Sequence, residues 1–149
     1  MPSIPLPASP KITLHKTSDG YEIRDNEKNM KMSLSFDDYS KILLDNKNHQ
    51  LNKIFKAKNL SILDCTGGFA RDAAVLASLG NNVTLIDRNP LIMSLLVDAR
   101  EKIKSDDIRY IFSRIKIRFG NCIEFIRNTN KHFDYIYFDF MFNINKSAL

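Results

Sequence analysis

The stretch Leu63–Gly80, LDCTGGFARDAAVLASLG, decides how the rest of this chain is interpreted. It begins with the end of an apolar strand, passes through a turn that contains Gly67 and Gly68, and continues with the composition of a helix. Gly80 is a typical residue for the end of such a helix. A strand, a glycine turn and a helix in this order are typical of a nucleotide-like ligand site, because backbone N–H groups at a helix start can face the ligand.

The same alternation continues toward the C-terminus. Further strands are predicted at NVTLID, RIKIRF and FDYIYFDF, with helical segments between them. The first of these helices has Asn89 as its cap and Pro90 in its first turn. It presents an apolar stripe made of Leu91, Leu95, Leu96, Ala99 and Ile103. Repeated β–α units predict an α/β fold with a doubly wound parallel sheet.

The sequence before Leu60 has a different character, and we divide the chain into residues 1–59 and 60–149. The segment MPSIPLPASP holds four of the five prolines, which predicts an extended arm. KITLHK and YEIRD flank the turn TSDG and predict a hairpin. A helix is expected to open at Ser35 or Asp37, and a short one to follow within DNKNHQLNKIFKAKN.

Composition bounds the class of protein. With 149 residues, 44% of them hydrophobic and 26% charged, the chain can bury a core. A net charge of +5 permits an anionic partner such as RNA, although a bias toward Lys, Asn and Ile would raise the charge without any function. Cys65 and Cys122 have no metal-ligand spacing, and we expect two unpaired thiols in a reducing compartment. Neither a signal peptide nor an apolar run near the ~20 residues of a membrane span is predicted.

Polar residues follow all four predicted strands of this region. Parallel sheets bind ligands beyond the carboxyl ends of their strands, so these residues are expected to share one cleft. They are Arg71 and Asp72 after the first strand, Asp87 and Arg88 at the end of the second, Asn121 and Cys122 after the third, and Asp139 at the end of the fourth.

Each residue type suits a particular contact. Asp87 is placed to accept from ribose hydroxyls. Arg71 can pair with a ligand carboxylate, and Asp72 can accept from an ammonium or complement the helix dipole. Asn121 and the cysteine after it would line an adenine pocket, unless Asn121 only caps its helix. Asp139 would orient a nucleophilic amine, or simply end its strand.

The glycine pattern helps to separate cofactor classes. GxGxxG is not met, because Gly68 is followed by Phe-Ala-Arg-Asp-Ala, and this disfavours a nucleotide-dependent oxidoreductase that uses NAD or FAD. A ribose acid, an adenine pocket and a carboxylate/ammonium site together fit S-adenosylmethionine better than a pyrophosphate cofactor.

LDCTGGFARDAAVLASLG, LIDRNP, YFDFMF and NKSAL together resemble, in order and spacing, the bacterial 16S ribosomal RNA guanine-N2 methyltransferases of the J type. The resemblance implies a Rossmann-like S-adenosylmethionine-dependent methyltransferase fold with strand order 3-2-1-4. It implies methylation of the exocyclic N2 amine of a guanosine in 16S rRNA, on the small ribosomal subunit. A cytoplasmic location follows, with no DNA or membrane partner. By position it implies cofactor contacts from Arg71, Asp72, Asp87, Arg88, Asn121, Cys122 and Asp139, of which Asp139 would also be catalytic.

The sequence departs from the family pattern at two positions near this site. Ala70 stands where the family has a second glycine, and Phe140 replaces the proline that follows the acid of the acceptor turn. The family continues past NKSAL with further strands, so we expect a C-terminally truncated sheet whose fourth strand has an open edge. A non-catalytic homologue that at most binds cofactor or RNA is the alternative function.

Overall fold

The computed structural model describes residues 11–44 and 49–139. The predicted N-terminal arm lies outside the described residues, as do Phe140 and the rest of the predicted acceptor turn. The described chain forms a three-stranded antiparallel sheet followed by a four-stranded parallel sheet with helices. The predicted α/β class is confirmed.

The N-terminal sheet contains β1 (Ile12–Thr17), β2 (Gly20–Asp25) and β3 (Met30–Met32), in that spatial order. Thr17 pairs with Gly20 across the tight turn, which closes the predicted hairpin. The strand β3 was not predicted. It is three residues long and fully exposed, so it carries no alternation of apolar and polar residues from which a strand could be inferred.

Short helices connect this sheet to the rest of the molecule. A 3₁₀ turn at Asp37–Tyr39 leads into α1 (Ser40–Leu44), and α2 (Gln50–Ile54) follows. These agree with the two helices predicted for the segment. The Phe36 ring stacks on Phe112 with centroids 3.9 Å apart, and Phe36 is buried. One hydrophobic core therefore joins residues on both sides of position 59.

The parallel sheet contains β4 (Ser61–Asp64), β5 (Asn82–Asp87), β6 (Ile115–Phe119) and β7 (Tyr135–Tyr137). Its spatial order is β6-β5-β4-β7, and all three pairings are parallel. In order along the chain these are strands 3-2-1-4, so the predicted order is confirmed. In the described part of the chain β7 pairs only with β4, and its side chains Tyr135 and Ile136 are about half exposed.

The helices of this region are α3 (Arg71–Ser78), α4 (Pro90–Glu101), α5 (Asp106–Ser113) and α6 (Cys122–Asn128). The Asn89 side chain accepts hydrogen bonds from the N–H groups of Leu91 and Ile92, as predicted for the cap of α4. Gly80 follows α3 with a φ of 93° and ends it as predicted. The Ser105 side chain accepts from the Ile108 N–H and caps the start of α5.

Helix α3 lies closest to the centre of the core. Its five consecutive residues from Ala73 to Ala77 are all buried. Three of them are alanines, whose small side chains let the helix axis approach the sheet. The helix that carries the predicted ligand contacts at its start is thereby packed against β5 and β6.

Gly67 gives a test of this packing. A Cβ at Gly67 would lie 2.4 Å from Leu85 Cγ, so Gly67→Ala forces a shift of a fully buried side chain. We expect a loss of about 1–3 kcal/mol in the free energy of unfolding by urea denaturation. Combined with Leu85→Ala, the loss should be clearly smaller than the sum of the two single effects, because the truncation makes room.

Gly68→Ala is the matched control. Gly68 has a φ of +46°, and a Cβ there would come no closer than 3.7 Å to the Thr66 carbonyl oxygen. Its cost, about 1–2 kcal/mol for the left-handed backbone, should add to that of Leu85→Ala. Additive behaviour of the Gly67 pair would contradict the close approach.

Candidate cofactor-binding site

The carboxyl ends of the parallel strands open into a cleft of about 430 Å³. Four of the predicted site residues line it together, namely Asp87, Arg88, Asn121 and Cys122. Cys65 and Phe138 contribute further walls. The prediction that residues from separate strand ends share one cleft is therefore met by the second and third strands.

Asp87 holds the glycine turn in place. Its Oδ2 accepts the Gly68 N–H at 2.9 Å, and its Oδ1 accepts the Asn89 N–H at 2.7 Å. The carboxylate therefore connects the end of β5 to the turn before α3 and to the start of α4. Each of its oxygens has a second acceptor position, so Asp87 can still accept from a ribose hydroxyl.

Asn121 caps the helix α6. Its Oδ1 accepts from the N–H groups of Ile123 and Glu124 at 2.8 and 3.4 Å. Of the two interpretations left open by the sequence, the cap is the one that the structure shows. The contact of this residue with adenine stays a prediction.

Cys65 and Cys122 form a disulfide, with their Cα atoms 5.4 Å apart. The expectation of two unpaired thiols is wrong for this structure. The pairing joins residues 57 positions apart, one after β4 and one after β6. Cys122 therefore lines the cleft as half of a covalent link between two loops.

Ala70 occupies the position before α3 with a φ of 62°, the left-handed region that favours glycine. Its side chain is buried and belongs to the main core cluster. The departure from the family glycine is thus accommodated by the backbone, at a typical cost of about 1–2 kcal/mol.

Arg71 and Asp72 open α3 as predicted, and both have partners from other elements. Arg71 lines a second, smaller cavity of about 230 Å³ beside Tyr39 and Phe69. The Tyr39 hydroxyl donates to the Phe69 carbonyl at 2.5 Å, and burial raises the pKa of Tyr39. Asp72 Oδ2 accepts from the Tyr137 hydroxyl at 2.8 Å.

Asp139 lies two residues beyond β7, with an exposed side chain. Its backbone N–H donates to Thr66 Oγ1 at 2.8 Å. The structure thus places Asp139 against the glycine turn, beside the loop that would carry the cofactor.

Asp64, at the end of β4, is only 1% exposed. Its Oδ1 accepts from the N–H of Thr66 at 3.0 Å and from the Thr66 hydroxyl at 3.4 Å. Desolvation raises the pKa of Asp64 to about 6, and the nearby Asp72 and Asp87 carboxylates add to the rise. A buried carboxyl group with a raised pKa thus lies directly before the glycine turn.

A family model with the description "Putative SAM-dependent methyltransferase" matches residues 4–149. The chain belongs to this family. S-adenosylmethionine is accordingly the cofactor class, and the donor set fits it. Asp87 in the cleft can bind a diol, Asp72 at the start of α3 an ammonium, and Arg71, which lines the smaller cavity, a carboxylate.

Curated relatives of this chain agree with the family assignment. "Ribosomal RNA small subunit methyltransferase J" of Shewanella sediminis is 39% identical over 94 residues, covering 61% of this chain and 36% of that protein. The protein of the same name from Ectopseudomonas mendocina is 44% identical over 91 residues, with 59% and 35% covered. The matched part spans about a third of the length of these curated relatives.

A solved SAM-dependent methyltransferase from Neisseria gonorrhoeae shares the fold, with a TM-score of 0.72 at 23% identity. The match covers 91% of this chain and 59% of that one. Within the part of the chain that the structure describes, no helix has the length and apolar character needed to cross a membrane.

The sequence predicted no role for three residues next to the glycine turn and α3, namely Asp64, Thr66 and Tyr137. Asp64 could have been found, because an acid that directly follows a continuous apolar strand is expected to be buried. Tyr137 carried no such signal, since an aromatic residue inside a strand ordinarily packs in a core.

Asp64 makes the stability of the folded chain depend on pH. The pKa of Asp64 is raised from 3.8 to about 6 by folding, so the unfolded chain releases this proton first as pH rises. The free energy of unfolding should therefore fall between pH 4 and 6. Asp64→Asn should abolish this fall. The change that it causes in the free energy of unfolding should therefore be more favourable at pH 7.5 than at pH 4, by on the order of 3 kcal/mol.

Urea denaturation at several pH values measures this difference. Glu101→Gln, at the exposed C-terminal end of α4, is the control and should keep the pH dependence of the wild type. An Asp64→Asn variant with that same unchanged dependence would contradict the assignment.

The disulfide predicts the number of reactive thiols. Oxidised protein unfolded in guanidinium should show no thiol reactive toward Ellman's reagent, and reduced protein should show two. Reduction should lower the melting temperature of the wild type, since the bond closes a long loop of the unfolded chain. It should leave the Cys65→Ser/Cys122→Ser variant unchanged, and an equal drop in both proteins would argue against the bond.

Proposed function

We propose that this chain forms the cofactor-binding part of an enzyme that methylates the N2 amine of a guanosine in 16S rRNA. The observation that carries the proposal is the bond from the Asp139 N–H to Thr66, because it holds an exposed acid beside the glycine turn. The relatives named for methylation of small-subunit ribosomal RNA support the substrate class.

The cofactor roles follow from the positions of the side chains. Asp87 would accept from the ribose hydroxyls while it holds Gly68. Asp72 would accept from the ammonium group, and Arg71 would pair with the carboxylate. The remaining walls of the adenine side would come from Arg88, Asn121 and Cys122.

The target amine needs orientation more than it needs a strong base. Bound S-adenosylmethionine would supply a methyl group on a sulfonium centre, which is already reactive. The exocyclic amine of guanine is weakly basic because its lone pair is delocalised into the ring. Asp139 would accept a hydrogen bond from one amine N–H and thereby direct the nitrogen lone pair toward the methyl group. The sulfur–methyl bond would break as the nitrogen–methyl bond forms, S-adenosylhomocysteine would leave, and the amine would lose one proton to Asp139.

The proposal has consequences for partner and location. The net charge of +5 favours a polyanion. The relatives named for small-subunit ribosomal RNA make 16S rRNA within the small subunit the proposed one, with no DNA or membrane partner. Such a substrate places the protein in the cytoplasm, where thiols are kept reduced and the Cys65–Cys122 bond would be open. In this scheme residues 1–59 are an N-terminal accessory part and residues 60–149 are part of the methyltransferase domain.

A homologue that binds cofactor or RNA without transferring methyl groups is the second candidate. The observation in its favour is Ala70, which adopts a left-handed backbone with a φ of 62° where the family has a glycine. The two functions differ in turnover, not in cofactor affinity, so the same experiment separates them.

The test combines calorimetry with S-adenosylmethionine and transfer of a radiolabelled methyl group to undermethylated small subunits. Wild-type protein should bind the cofactor and label 16S rRNA. Asp139→Ala should weaken cofactor binding only slightly but transfer at least about 100-fold more slowly, the usual effect of losing a group that acts on a proton in the transition state.

Asp134→Ala is the matched control, because Asp134 precedes β7 and accepts from the Ser61 N–H at the opposite end of the strand. It should leave transfer unchanged. Equal labelling by Asp139→Ala and wild type would refute the role of Asp139. Binding without labelling by the wild type would favour the second candidate.

A further inference from the structure

Two hydrogen bonds join the end of β7 to the segment that would carry the cofactor. The Tyr137 hydroxyl donates to Asp72 Oδ2 at 2.8 Å, between residues 65 positions apart. The Asp139 N–H donates to Thr66 Oγ1 at 2.8 Å, between residues 73 positions apart. These bonds link β7 and the residues directly after it to both the glycine turn and the first turn of α3.

The hydrogen bond from Tyr137 holds the Asp72 carboxylate in one of several possible orientations. Asp72 lies in the first turn of α3, where a carboxylate can also interact with free backbone N–H groups. A hydroxyl on one oxygen fixes the carboxylate plane and leaves the other oxygen as an acceptor. Tyr137 lies in a regular strand, paired with Asp64, so its backbone is a rigid support for this contact.

The negative charges around the glycine turn give a reason why the donor to Asp72 is a neutral hydroxyl. Asp64, Asp72 and Asp87 surround the glycine turn, and their mutual repulsion contributes to the raised pKa of Asp64. A neutral O–H donor stabilises the charged form of Asp72 without adding a positive charge that would compete with a cationic ligand. The pKa of Tyr137 is raised by burial and then by the Asp72 carboxylate, so the phenol keeps its proton.

We propose that Tyr137 is a positioning residue, which orients the Asp72 carboxylate toward the ammonium group of the cofactor and does not touch the cofactor itself. The inference rests on the proposed function, since it assigns Asp72 to the amino-acid end of S-adenosylmethionine. It also explains why the hydroxyl of a strand residue points to a helix start rather than into solvent.

Two commercially available ligands separate this role from a structural one. S-adenosylhomocysteine carries the amino-acid group, whereas 5′-methylthioadenosine has the same nucleoside without it. Tyr137→Phe should weaken S-adenosylhomocysteine about tenfold in calorimetry, as expected when one hydrogen bond to a charged group is lost. Its affinity for 5′-methylthioadenosine should change by less than about twofold, whereas a general loosening of the site would weaken both ligands alike.

The matched control is Tyr135→Phe, which removes a hydroxyl from the same strand. The Tyr135 ring packs against Phe55 with centroids 5.2 Å apart, away from the site, and both affinities should stay at their wild-type values. The double variant Asp72→Asn/Tyr137→Phe should bind S-adenosylhomocysteine no more weakly than Asp72→Asn alone, because Tyr137 acts through Asp72.

Asp72→Asn alone tests the same route without altering β7, in case Tyr137→Phe folds poorly. It should also weaken S-adenosylhomocysteine selectively, and an unchanged affinity would overturn the proposal. Equal weakening of both ligands by Tyr137→Phe, or none, would overturn it while leaving the proposed function intact. Failure of the wild type to bind either ligand would overturn both.

Discussion

The fold depends on how closely the chain passes over β5 after it leaves β4. Gly67 approaches the buried Leu85 side chain so closely that there is no room for a Cβ atom. Because the glycine turn lies so close to β5, the Gly68 N–H reaches the Asp87 carboxylate, and α3 starts directly above the sheet. The cleft, the burial of α3 and the positions of Arg71 and Asp72 all follow from this one steric condition.

The sequence carried most of the information about the parallel sheet and less about the site. Alternating β and α segments, the cap at Asn89 and the stop at Gly80 are local features, which short stretches of sequence encode directly. The strand order came from resemblance, because the order of strands in space is not a local property. The four polar residues that line the cleft were found because parallel strands end on one side.

What the sequence did not reveal are contacts between distant positions. Pairing of Cys65 with Cys122 requires two loops to converge, and their spacing alone gives no sign of it. The donor–acceptor pair of Tyr137 and Asp72 joins a strand to a helix start that lie far apart in the chain. The pKa of Asp64 depends on its burial and on two neighbouring carboxylates, and both are consequences of the finished fold.

The cluster of carboxylates at the site lowers the stability of the folded state. An ionised Asp64 is buried beside two other carboxylates, an arrangement that costs free energy in the absence of a cation. A ligand with a positive charge would relieve that cost on binding. Sites of this kind commonly trade folding stability for readiness to bind.

The two borders of the parallel sheet have opposite chemical character. On β6 the exposed side chains include Lys116 and Arg118, and charges of this kind discourage edge-to-edge pairing with another chain. On β7 the exposed side chains are Tyr135 and Ile136, and no charge lies within the strand. The two edge strands therefore differ in how readily they would pair with a further strand. Any strand that lengthens it, from the same polypeptide or another, is expected to add beside β7, and it is this border that would drive aggregation if left bare.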